Sequence, residues 1–109
     1  ETLISFAPAT THGLHIDETF RRWGVVRQTS VFVHFVEAAL SFVAEGIGIT
    51  ILDAFSAMDC TSNGLVAIPI ENSVTISAYV HSCLLRPRPL AADKLIAELR
   101  AIAADAGMR

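Results

Sequence analysis

Residues 42–55, FVAEGIGITILDAF, decide how the chain is read, because Gly46 and Gly48 invite comparison with a phosphate-binding loop. A dinucleotide fingerprint runs strand, G-x-G-x-x-G, helix, so that the pyrophosphate meets the free amides of the helix's first turn. Here the order is reversed. The apolar spacing before Gly46 is helical, and IGITIL at 47–52 reads as a buried strand. Gly46 is therefore expected to end a helix in the left-handed conformation, and Gly48 to mark close packing of the strand that follows.

Working outward, TLISFA at 2–7 is a β-rich run closed by Pro8, and THGLHIDETFRRWG spaces Ile16, Phe20 and Trp23 for one helix face, with Gly24 at its end. QTSVFV at 28–33 is a second strand. From Phe35 the period changes to a helix, with Glu37, Ser41 and Glu45 on its polar stripe. After the third strand, Asp53 can cap a short helix through AFSAM. Strands at 65–70 and 74–85 are then expected, separated from what precedes by the turn residues Asn63-Gly64. RPRP at 86–89 stops the last of them, and the final helix carries Leu95, Ile96, Leu99 and Ile102 on one face with a Lys94/Glu98 pair outside. This order predicts an α/β fold: a parallel sheet flanked by helices, with an added antiparallel strand at one side.

The 109 residues are 52% hydrophobic and 17% charged, which suits one domain with a real core. The mean hydropathy of +0.50 fits a buried parallel sheet in a piece of a larger chain. The longest apolar stretch, residues 31–44, is broken by His34 and Glu37 and falls short of the roughly 20 residues that cross a bilayer. No membrane partner is expected. The chain opens at Glu1 with no basic-then-apolar leader, so no signal peptide is expected either. A net charge of −3 with scattered Lys and Arg excludes a basic stripe for nucleic acid. Cys60 and Cys83 fit free thiols in a reducing cytoplasm.

EAALSFVAEGIGITILDAFSA followed by NGLVAIPI resembles the effector-binding domain of LysR-type transcriptional regulators, in which an alanine- and leucine-rich helix ends in V-A-x-G-x-G and G-x-L-V-x-L-P follows the next strand. The resemblance extends over nearly all of residues 2–100. It implies the periplasmic-binding-protein type 2 architecture, two α/β lobes holding a small effector between them. Residues 1–85 would be the second lobe, and 86–109 the hinge and the C-terminal helix that packs on the absent first lobe. DNA would be met only through an absent N-terminal helix-turn-helix domain. A cytoplasmic homo-oligomer is implied, with no cofactor. If the first lobe is missing, the apolar face of the last helix should be buried by folding back, by self-association or by swapping between chains.

Ligands of parallel α/β sheets bind beyond the carboxyl ends of the strands. Three loops qualify, and they supply the candidate site residues Thr10, Thr11, His12, His34, Phe35 and Asp53. Thr10 and Thr11 can cap the first helix or donate to a ligand. His34 and Phe35 stand where the resemblance often places Ser or Thr, and Asp53 replaces a frequent Pro. Histidines with helix amino termini favour an anion; including Asp53 favours a zwitterion. His12-x-x-His15 lacks a convincing third ligand for a metal. No catalytic residue is expected, although a small enzyme using Cys83 or Asp53 and a lobe of a transport-type solute-binding protein are the competing readings.

Overall fold

The computed structural model describes residues 1–106, which form two compact units, one spanning Glu1–Ile76 and one beginning at Ser77. The first holds a three-stranded parallel sheet in the order β2-β1-β3, made of β1 (Leu3–Phe6), β2 (Val31–Val33) and β3 (Ile49–Thr50). Helices α1 (Thr11–Trp23) and α2 (Val36–Ala44) connect them.

β1 is central. Ile4 is paired with both Val31 and Thr50, and all four β1 residues are buried. Alternation sends Leu3 and Ser5 to one face and Ile4 and Phe6 to the other, so both faces are covered. Ile4 and Phe6 join Ile16 of α1, Val33 of β2 and Ala39 of α2 in one core cluster, against which Phe20, Val36, Val43 and Leu52 pack. Burying each large side chain stabilises the fold by about 1.5–3 kcal/mol. Ser5 is the polar member of β1, and Arg27 meets it: Nη1 donates to Ser5 Oγ at 3.2 Å and pairs with Asp17 Oδ1 at 2.9 Å.

Local chemistry sets the element ends. Thr10 takes an extended conformation before α1, and its hydroxyl accepts from the Gly13 amide at 3.0 Å while donating to the Ala7 carbonyl at 2.7 Å. At the other end α1 stops at Gly24, as the spacing predicts. Gly46 adopts φ +73° after α2, and its amide donates to the Val43 carbonyl at 2.9 Å. Gly48 lies against β1 so closely that a Cβ there would sit 2.1 Å from the Thr2 carbonyl oxygen. Both glycines thus terminate and pack, as their order in the chain implies.

Other expectations are corrected. AFSAM forms successive turns leading to a 3-10 turn at Cys60–Asn63, and no helix. The β-rich runs 65–70 and 74–85 form no strands, so the added antiparallel strand is absent among the described residues. Val66, Ile68, Tyr79, Leu84 and Leu85 are exposed there. β-propensity measures fit to a pleated, half-buried surface, and no ladder partner reaches these segments. Pro69 also has no amide to give.

The second unit contains α3 (Leu90–Asp105), entered from Pro89 and joined by an Arg88–Asp93 ion pair at 3.0 Å. The end of the region 86–109, from residue 107 on, lies outside the described residues. No α3 residue is buried; Leu95, Leu99 and Ile102 are each about half exposed. No described helix is long and apolar enough to cross a membrane. Cys60 is buried and Cys83 exposed, and both are free.

Because the Thr2 carbonyl is backbone and cannot swing aside, Gly48→Ala is expected to cost about 1–3 kcal/mol by overpacking. Urea unfolding of the chain followed by circular dichroism measures it.

Candidate functional site

All three strands run parallel, so the loops after Phe6, Val33 and Thr50 leave the sheet at one edge. The crossover from β1 runs to β2 and the next one returns past β1 to β3, so the switch point of the topology falls between β1 and β3. The six candidate residues lie on these loops and the helix starts that follow them.

At the switch point His12 and Asp53, 41 residues apart, are joined by a 2.8 Å bond between Nε2 and Oδ2. His12 lies in the first turn of α1, which the Thr10 cap starts, and its ring sits 4.9 Å from that of Phe6, tilted by 33°. Asp53 follows β3 and is held from its other side by Ser56. The Ser56 amide donates to Oδ1 at 2.9 Å and the Ser56 hydroxyl to Oδ2 at 2.7 Å. Burial pushes the Asp53 carboxyl upward, but the two Ser56 hydrogen bonds and His12 outweigh it and hold the carboxyl below its ordinary value of 3.8. Asp53 is therefore a carboxylate, with only acceptor positions, at neutral pH.

Ser56 is the member that the candidate set lacks. The spacing Asp53-x-x-Ser56 carries a signal for it, since a capping carboxylate meets donors three residues on. Asp53 keeps this capping geometry even though no helix follows.

The remaining candidates are less enclosed. Thr10 is committed to the start of α1 through both of its hydroxyl bonds, while Thr11 is the exposed first residue of that helix. His34 and Phe35 are exposed between β2 and α2, with Phe35 at 72%. Phe35 occupies the position before α2 and offers no side-chain cap, so the first amides of α2 have no side-chain acceptor from that position. The geometry directly joins His12 to Asp53; His34 and Phe35 lie beyond β2, on the other side of β1.

The sign of the Asp53 effect on stability follows from its lowered carboxyl. A group deprotonated more easily when folded contributes stability that is present above the unfolded value near 3.9 and lost as pH falls through the folded one. Asp53→Asn is expected to cost about 1–2 kcal/mol at pH 7 and much less in acid. Urea unfolding of both chains at about pH 7 and about pH 3 checks this; an equal cost at both would refute it.

The family described as the LysR substrate binding domain matches residues 1–104. No curated protein and no solved structure matches the chain. The family is one of transcription regulators and not of enzymes. A parallel α/β sheet whose carboxyl edge gathers polar loop residues is consistent with a ligand-sensing role, and the chain belongs to this family as an effector-binding domain of a LysR-type transcriptional regulator.

Proposed function

We propose that this chain provides one wall of an effector site at the carboxyl edge of its sheet, and that the effector is a small metabolite with a negatively charged group. The observation that carries the reading is the His12–Asp53 bond, which ties the loops after β1 and β3 together at the topological switch point. The other support lies beside β2. There the α2 amides, uncapped by Phe35, point toward the same edge and carry the positive end of a helix dipole, and exposed His34 and Phe35 flank them. An imidazole donates to an anion, and the phenyl ring provides an apolar wall.

Asp53 favours the anionic form of the proposal over direct pairing with an ammonium group. Its side chain is only 9% exposed and already accepts three hydrogen bonds. Its charge serves the loop.

In this reading the architecture is that of periplasmic-binding-protein type 2 folds, residues 1–85 forming a second lobe and 86–109 returning toward a first. Effector binding would favour one lobe arrangement over another, which requires different affinity for the two. The regulator would act in the cytoplasm as a homo-oligomer, with the apolar face of α3 covered by the first lobe or by a second copy. DNA would be held by a helix-turn-helix domain elsewhere in the protein.

Calorimetric titration of the complete two-lobed domain tests the proposal. Small organic acids are expected to bind at least about tenfold more tightly than uncharged analogues of the same shape, a difference of about 1.4 kcal/mol. A preference for the uncharged analogues would overturn it.

A further inference from the structure

The chemistry at the switch point specifies more than a contact between two loops. Asp53, as a carboxylate, can only accept, so the nitrogen that meets it at 2.8 Å must carry hydrogen. In a neutral imidazole one nitrogen bears the hydrogen and the other a lone pair, and the partner of the first determines the second. We infer that Ser56, Asp53 and His12 form a relay that holds His12 with hydrogen on Nε2 and presents Nδ1 as an acceptor, making His12 a specificity-determining residue for effectors that carry a hydroxyl or ammonium donor beside their acidic group. This rests on the reading of the carboxyl edge as the effector site.

Each link is restrained. Ser56 donates to both carboxylate oxygens, which leaves Asp53 one orientation. The Thr10 cap and the tilted Phe6 ring fix the helix turn and the imidazole from the other side. His12 nevertheless keeps 34% of its side chain exposed. Its Nδ1 has no hydrogen-bond partner among the described residues and is not one of the buried polar atoms lacking one, which are His15 Nδ1 and Thr29 Oγ1. Nδ1 is therefore not sealed inside the protein and is left free to accept. A donor on an acidic ligand would meet Nδ1 without disturbing Asp53. An acid lacking that donor would leave Nδ1 desolvated and unpaired, the situation that discriminates most strongly between similar ligands.

Ser56 is thus a positioning residue. It touches no ligand in this account and acts through Asp53.

Heteronuclear NMR of the imidazole nitrogens in the full chain tests the relay without an effector, at a pH of about 8 where an ordinary imidazole is neutral. His12 is expected to show a pyrrole-like Nε2 and a pyridine-like Nδ1. Asp53→Ala is expected to give a mixture of tautomers, and Ser56→Ala to move His12 part of the way, while the circular dichroism of each variant matches that of the unaltered chain and reports that the fold is intact. Hydrogen on Nδ1 in the unaltered chain, or a His12 tautomer indifferent to Asp53→Ala, would overturn the inference.

Calorimetry on the two-lobed domain with phenyllactate, phenylalanine and phenylpropanoate separates a hydroxyl from an ammonium donor and both from neither. Donor-bearing acids are expected to bind about threefold to tenfold more tightly than phenylpropanoate, a ratio that His12→Ala removes. Equal binding of all three acids would overturn the specificity role. Binding by none of them while His12 keeps hydrogen on Nε2 would count against the proposed effector class and in favour of the relay.

Discussion

The first unit depends on one strand. Residues Leu3–Phe6 are hydrogen-bonded on both edges and buried on both faces, so the strand's backbone polar groups and its apolar side chains are satisfied together only if β2, β3 and the helices are all in place. Even the polar Ser5 is met, by Arg27. Ile4 and Phe6 give the core its largest fully buried side chains, and the short β2 and β3 are strands because β1 lies between them.

That arrangement also underlies the proposed site. A parallel neighbour on each side of β1 sends three loops to one edge, with those after β2 and β3 on opposite sides of the one after β1. The His12–Asp53 bond joins the loops after β1 and β3. It uses a helix start set by Thr10 and a carboxylate set by Ser56, so local capping chemistry becomes long-range positioning. The same polar groups that would otherwise be unsatisfied chain ends orient one another.

Much of this was legible in the residues. Alternating and helical spacing marks β1, α1, β2, α2 and the start of β3, and Gly46 and Gly48 act as the stop and the close approach that their order implies. The two missing strands have one cause. Residues 65–70 and 74–85 have the side chains of strands, but a strand also needs a neighbour to receive its backbone bonds, and side-chain composition does not say whether one will come. At the site, Thr10, His12 and Asp53 were legible as polar loop residues, whereas Ser56 was visible only as a capping partner and the pairing of His12 with Asp53 was not visible at all.

The sequence by itself determined the family, the alternation of strand and helix, and which loops hold polar residues, because these follow from local periodicity and turn chemistry. Only the tertiary structure decided that His12 and Asp53 meet, that Ser56 stands behind them, and that His34 and Phe35 lie beyond the opposite strand. The physical reason is that contacts between residues 41 positions apart depend on the order of strands in the sheet, which no local preference encodes.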